Sequence, residues 1–239
     1  MKFRKKNKSF YSLSFPTISG SGPNSAIIHY KANKKSNRFL KRGDIYLVDS
    51  GGQYFYGTTD VTRTLSLGVQ SDEIKEIYTR VLKGHIAVAS YKLNENANGD
   101  KIDQSARKFL KDINLDYPHG TGHGVGYFSN VHEGPQAISR GNKVKFKEGM
   151  ITSNEPGYYK KNHFGVRIEN LVYVKKTNNR LKFEDLTLVP IDKLLIKEKL
   201  LTSLEKNWLN EYHQKVFGHL KKFMNKFELT QLKQACSNI

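Results

Sequence analysis

Cysteine is nearly absent from this 239-residue chain, with Cys236 the only one. A disulfide framework and a cysteine-built zinc site are both excluded, and a reducing compartment fits. Acids are also scarce, 22 against 40 lysines and arginines, giving a formal net charge of +18. Such a charge raises nucleic-acid binding as a function. Here, however, the lysines are scattered beside many asparagines, with no arginine-rich stripe, zinc finger or RNA-binding motif. They read as a solvated surface, and no nucleic-acid partner is expected. No run approaches the ~20 apolar residues of a membrane span. The basic opening MKFRKKNKSF leads into YSLSFP, not into the apolar stretch and small-residue cleavage site of a signal peptide. The expectation is a soluble cytoplasmic protein with no membrane partner, long enough for one large domain.

What the chain does contain is a series of short β-type segments and a few periodic helices. Residues 10–30 mix aromatic and β-branched residues around a Gly-Ser-Gly-Pro-Asn break, as extended segments do around a tight turn. Residues 44–50 and 58–67 have strand composition and are joined by a hairpin-sized connection, GGQYFYG. Ser71 and Asp72 supply a helix start, and Ile74, Ile77, Tyr78, Val81, Leu82 and Ile86 recur at helical spacing, predicting a helix to about Leu93. A second helix is predicted over 101–113, with Ile102, Ala106, Phe109, Leu110 and Ile113 on one face. After the glycine-rich stretch 119–126, strands are predicted at 150–155 and 165–174. The last fifty residues turn helical, and Leu209, Tyr212, Val216, Phe217 and Leu220 form an apolar stripe for the core or a partner subunit.

A weak internal repeat organises the acids. Gly43 lies six residues before Asp49, and Asp60 follows eleven later; Gly149 lies six before Glu155, and Glu169 follows fourteen later. Each half thus offers one carboxylate at a strand end and one on the strand after a hairpin, so two pseudo-symmetric hairpins bring all four together. Asp49 and Glu169 sit in apolar surroundings, where a carboxylate is costly unless paired or metal-bound. Strand alternation groups Asp60 with Thr62 and Thr64, and Glu169 with Arg167 and Leu171. Arg167 is then placed to hydrogen-bond a ligand carboxylate and fix its orientation. His119 and His123 are four apart, but glycines at 120, 122, 124 and 126 argue against a helical zinc motif. In an extended segment both imidazoles still share a face, and His132 and His29 lie close to the same motifs. Four carboxylates and an imidazole suit manganese, magnesium or cobalt better than a thiolate-type zinc site. Two divalent cations balance four buried carboxylates where one leaves excess charge. Metals in such pairs sit ~3.5–4 Å apart, acidify a bridging water and polarise a carbonyl, which is hydrolytic chemistry. The competing reading, ordinary surface acids and turn formers, accounts for any one of these residues but not for five in repeating strand contexts.

The segments SFPTISGSGPNSAIIHY, YLVDSGGQYFYGTTDVTRT, HGTGHGVGYFSNVHEGP, TSNEPGYY and GVRIENLVYV resemble, in order, the metallopeptidase family M24, and within it the aminopeptidase P (Xaa-Pro aminopeptidase) group. The resemblance runs over about residues 10–215, since LTLVPID and WLNEYHQKV are similar to the C-terminal region of the long, cytosolic-type enzymes. It implies an α+β pita-bread (creatinase/aminopeptidase) fold, a pseudo-symmetric antiparallel sheet covered by helices. Residues 1–190 would form the catalytic domain and 191–239 a C-terminal helical region. Carried over by motif, Asp49 would bind one metal, Asp60 and Glu169 would bridge a pair, and His123 with Glu155 would complete the second site. Glu155 would also shuttle a proton, while His29, His119 and His132 would position the peptide and stabilise its tetrahedral intermediate. The implied cofactor is two divalent ions, manganese first, with cobalt or zinc as alternatives, joined by a bridging hydroxide. The implied substrates are proline-containing peptides, cleaved between the first residue and proline; a prolidase, or an inactive or partner-dependent fragment, is the alternative. One departure is Tyr56, where the family pattern has an acid before GTTD. A second is the start of the chain, just before the first motif. The expected fold therefore lacks its opening helices, exposes apolar sheet surface, and calls for a homodimer partner or a separately supplied N-terminal half.

Overall fold

Two hairpin-based units, one in each half of the chain, carry the architecture. The computed structural model describes residues 2–94 and 96–239. Along the chain they form β1 (Phe10–Leu13), β2 (Ile18–Ser21), β3 (Ile45–Asp49), β4 (Gly52–Tyr54), β5 (Gly57–Thr58), β6 (Thr62–Ser66), α1 (Asp72–Ala89) and α2 (Gly99–Lys111). There follow β7 (Gly122–His123), β8 (Ala137–Ile138), β9 (Ile151–Asn154), β10 (Gly157–Lys160), β11 (Phe164–Arg167), β12 (Asn170–Thr177), β13 (Arg180–Asp185), α3 (Ser203–Leu220) and α4 (Lys226–Ala235).

The two units repeat one plan. β3 pairs antiparallel with β6, with Asp49 opposite Thr62; β9 pairs antiparallel with β12, with Asn154 opposite Asn170. Between the members of each pair the chain makes a smaller hairpin, β4–β5 in the first unit and β10–β11 in the second. Asp49 and Glu155 therefore stand where the chain leaves its first strand, and Asp60 and Glu169 where it re-enters the longer pair. The sheets are open and antiparallel, in the orders β2–β3–β6 and β13–β12–β9.

This geometry corrects two predicted strands. The segment 58–67 breaks over residues 59–61, and 165–174 breaks at Ile168 and Glu169. The cause is a change of partner. Ile168 N–H still donates across the β10–β11 hairpin, to Pro156 O at 3.3 Å, whereas Glu169 N–H crosses to the other unit and donates to Thr62 O at 3.1 Å before β12 pairs with β9. Both carboxylates thus sit at corners, not within strands, and strand alternation does not govern where they point. The connection 51–57 is itself structured, because β4 also pairs with β1.

Helices cover the sheets through two cores. In the larger, Ile77, Tyr78 and Val81 of α1 pack with Phe164 and Val166 of β11 and with Leu209, Tyr212 and Val216 of α3. The C-terminal apolar stripe thus packs on the chain's own core. In the smaller, Ile102 and Ala106 of α2 meet Ile138 and the inner face of β12–β13, Val172, Val174 and Phe183. α1 ends at Ala89, four residues short of its predicted end, and Leu93 instead bridges to Leu181. α2 begins two residues early because Asn98 caps it, accepting from Lys101 N–H. Among the described residues no helix is long and apolar enough to cross a membrane.

Candidate metal centre

The period-2 pleat of β3 sets the first candidate ligand. Ile45, Leu47 and Asp49 are buried while Tyr46 and Val48 are half-buried, so Asp49 is carried inward with the core residues. Its Oδ2 accepts from Arg167 Nη2 at 2.6 Å. Arg167 also donates from Nη1 to Tyr159 Oη at 2.7 Å and from Nε to Thr62 Oγ1 at 3.1 Å. Strand alternation predicted Arg167 beside Glu169. The corner at 168–169 redirects it to Asp49, and it reaches Glu169 only through Thr62, whose hydroxyl donates to Glu169 Oε2 at 2.7 Å.

His123 and Glu155 are fixed by a close approach. A Cβ at position 122 would lie 2.0 Å from the Ser153 carbonyl oxygen, so only glycine lets β7 lie against β9. His123 N–H then donates to Ser153 Oγ at 2.9 Å, and that hydroxyl donates to Glu155 Oε1 at 2.9 Å. The His123 Nε2 atom stands 3.2 Å from Glu155 Oε1 and 3.6 Å from Asp60 Oδ2.

Asp60, His123 and Glu169 form the tightest group, each offering a ligand atom within 4.8 Å of the others. Asp49 and Glu155 flank this triad, Asp49 turned onto Arg167 and Glu155 onto His123. Three carboxylate oxygens, Asp49 Oδ1, Asp60 Oδ1 and Glu169 Oε1, are buried with no hydrogen-bond partner. An unsatisfied buried charge-bearing oxygen is expensive, and three of them on clustered acids are what cation ligands look like with hydrogen bonds alone counted. The electrostatics agree. Burial, reinforced by the neighbouring Asp60 and Glu155, pushes Asp49 up to about 7 against the pull of Arg167. Burial and the other three acids likewise raise Glu169 well above the carboxylate range. Burial works to lower His123, yet its hydrogen bonds to Asp60 and Glu155 hold it at about 11. Burial raises Glu155, but His123 overrides this and holds it at about 2. The raised Asp49, Glu169 and His123 are the response to concentrated negative charge, Glu155 is held down by the cation that charge creates at His123, and the all-oxygen-plus-imidazole donor set suits hard divalent ions.

A cleft of about 650 Å³ opens onto the group; Asp49, Asp60, His123, Glu155 and Arg167 line it, whereas Glu169 lies behind, 1% exposed. His29, His119 and His132 also line the cleft. The His132 ring lies 3.8 Å, centroid to centroid, from that of His123. His119 Nδ1 pairs with Gly120 O at 2.8 Å and Nε2 with Tyr159 Oη at 2.8 Å. A larger cleft of about 1180 Å³ lies by the end of α1 and β13, but no described acid or histidine lines it. Chemistry, not size, marks the site.

Tyr159 was not singled out by sequence reasoning, and Thr62 was placed only as a strand-face neighbour of Asp60. A signal for Tyr159 existed: Gly157 is directly opposite Arg167, leaving room that Tyr159, two residues along, fills from the same face.

Comparison with known proteins follows this geometry. Residues 1–176 match metallopeptidase family M24, and residues 179–239 match the C-terminal region of peptidase_M24. The chain is 47% identical over 240 aligned residues to a probable Xaa-Pro aminopeptidase P of Botryotinia fuckeliana, covering 95% of this chain and 36% of that protein. It superposes with a TM-score of 0.93 and 39% identity on the X-prolyl aminopeptidase of Caenorhabditis elegans, described as a cytosolic enzyme with a di-nuclear active site; the match covers 100% of this chain and 41% of that one. A prolidase from Thermococcus sibiricus matches with a TM-score of 0.65 and 34% identity, over 73% of this chain and 46% of the other. The chain spans little more than a third of the length of the curated relatives it matches.

Proposed function

This chain belongs to metallopeptidase family M24, and we propose that its centre hydrolyses the bond between an N-terminal residue and a following proline. The observation that carries the reading is the set of three unsatisfied buried oxygens on Asp49, Asp60 and Glu169 beside His123 and Glu155. In this proposal Asp49 would hold one divalent ion, Asp60 and Glu169 would serve both, and His123 with Glu155 would complete the second, manganese being the first choice and cobalt or zinc the alternatives. Arg167 refines the charge balance: four carboxylates and one guanidinium leave three negative charges. One divalent ion would leave the centre anionic, while two would leave a single positive charge. When bound, such a pair supplies an activated water and a polarised carbonyl.

The protein's own groups do the rest. Glu155 takes the proton of the attacking water and delivers it to the leaving proline nitrogen. His29, His119 and His132 hold the peptide and the developing oxyanion from the cleft side. Phe15, Pro16 and Val131 supply apolar wall suited to a pyrrolidine ring. Residues 1–190 are the catalytic unit in this reading, and 191–239 a helical region tied to it where Arg63 Nη2 donates to Tyr212 Oη. A homodimer belongs to the proposal, as does cytosolic residence like that of the nematode enzyme.

Manganese-dependent release of the first residue from an Xaa-Pro-Xaa tripeptide is the test. Cleavage confined to Xaa-Pro dipeptides would make the chain a prolidase. A folded sample that binds no divalent ions, and releases nothing with an N-terminal half added, would overturn the reading in favour of an inactive relative.

A further inference from the structure

One buried ion pair outside the centre holds two of its parts at once. Asp103 and Arg107 lie one helical turn apart on α2 and are joined at 2.7 Å between Oδ2 and Nε, 1% and 6% exposed respectively. Neither lines the cleft. Arg107 spends its remaining donors on the loop before β7: Nη1 donates to Tyr117 O and to Asp116 Oδ1, both at 2.7 Å, and Nη2 to the carbonyl oxygen of His119 at 2.5 Å. Its guanidinium also lies 4.0 Å over the Tyr117 ring. The second oxygen of Asp103 accepts from Thr121 N–H at 3.3 Å and from Thr121 Oγ1 at 2.6 Å. Thr121 in turn accepts, through its carbonyl, the backbone N–H of Glu155 at 2.7 Å.

We propose that Asp103 and Arg107 are positioning residues for the reaction, setting His119 and Glu155 in a common frame from the far side of α2. The proposal rests on the roles assigned above to those two residues. An ion pair that served stability alone would need only its own partners. This one places charge-assisted bonds on the backbone groups of Tyr117, His119 and Thr121, alternate positions of a single loop, and among the described residues its side chains bond to no element other than that loop. A planar fork is required, because a lysine at 107 offers a point charge and cannot reach Asp103, Tyr117 and His119 together. Displacing a catalytic group by about 1 Å costs on the order of 100-fold in rate, so small shifts of this loop are expected to appear in turnover before they appear in folding.

The test compares full-length Arg107→Lys and Asp103→Asn with Lys143→Ala, which removes a surface ion pair to Asp100 on the same helix. Three readouts are taken: manganese affinity by calorimetry, the imidazole NMR signals of His119, and kcat and KM on an Xaa-Pro-Xaa peptide. In folded Arg107→Lys and Asp103→Asn we expect shifted His119 signals, several-fold weaker manganese binding through the loosened Glu155, and kcat reduced about 10- to 100-fold with a smaller change in KM. Lys143→Ala should match the wild type in all three. Arg107→Ala with added guanidinium provides a rescue, expected to return the His119 signals toward their wild-type positions. If the variants lose only thermal stability, with manganese affinity and His119 signals unmoved, the pair is structural and the proposal falls. Should the wild-type chain hydrolyse nothing, the functional reading fails separately, and the NMR and metal readouts still decide the positioning claim.

Discussion

Arg167 Nη2 donates to Asp49 Oδ2 at 2.6 Å with side chains 2% and 11% exposed, so a candidate ligand carboxylate and its guanidinium partner are buried as a unit. Removing one member strands the other. Arg167→Met is expected to cost about 3–5 kcal/mol in the absence of metal, read by urea unfolding. Combining it with Asp49→Asn should cost clearly less than the sum of the single changes, since the two residues touch. Additive costs would show that the contact contributes nothing.

Tyr159 Oη sits between His119 Nε2 at 2.8 Å and Arg167 Nη1 at 2.7 Å. With His119 Nδ1–H donating to Gly120 O, Nε2 is the acceptor and the phenol donates to it while accepting from Arg167. The Tyr159→Phe change leaves both partners short of a hydrogen bond, worth about 1–3 kcal/mol. We expect kcat on an Xaa-Pro-Xaa peptide to fall about tenfold or more with manganese binding retained. Wild-type turnover in this variant would show that the hydroxyl takes no part.

Asp49 and Glu155 were legible because each falls six residues after a glycine, and that spacing survives where the chain leaves β3 and β9; Asp60 and Glu169, eleven and fourteen residues further on, were legible only as the acids that follow each hairpin. The corners themselves were not legible. Composition marks 58–67 and 165–174 as strand, but where a strand changes partner depends on the neighbour across the fold, and Glu169 N–H bonds to Thr62, 107 positions away. For that reason Arg167 was placed beside Glu169 when it grips Asp49. The end of α1 was missed because Leu93 continues the helical spacing yet is used against Leu181. Asp103 and Arg107 read as ordinary i, i+4 helix charges, since nothing in α2 alone reveals the loop docked on it.

Metal binding should be visible as stability. A ligand that binds only the folded state adds about 2.7 kcal/mol when present at 100 times its Kd. Thermal unfolding of the apo chain is therefore expected to shift upward with added manganese and to return with chelator. Asp60→Asn and Glu169→Gln, each removing a charge from the triad, should blunt the shift. A melting temperature indifferent to manganese in the wild type would rule out ion binding at the centre.

His213 offers a pH test away from the centre. Its side chain is fully buried on α3, and Nε2 accepts the Ile191 N–H at 3.1 Å, fastening the segment that precedes the C-terminal helices. Burial, with Lys193 and Arg63 nearby, holds it down to about 4 from an ordinary 6.5. The folded state therefore keeps this imidazole neutral over a range where the unfolded chain protonates it. Stability is complete above pH ~6.5, declines as the pH falls toward about 4, and stops declining below that, a loss on the order of 3 kcal/mol. His213→Asn retains an acceptor for Ile191 but cannot titrate. Urea unfolding of both proteins between neutral pH and about 4 isolates the term, because the carboxylates are common to the two. The wild type should lose stability faster than the variant over that window, and parallel curves would show that His213 is solvated and titrates normally.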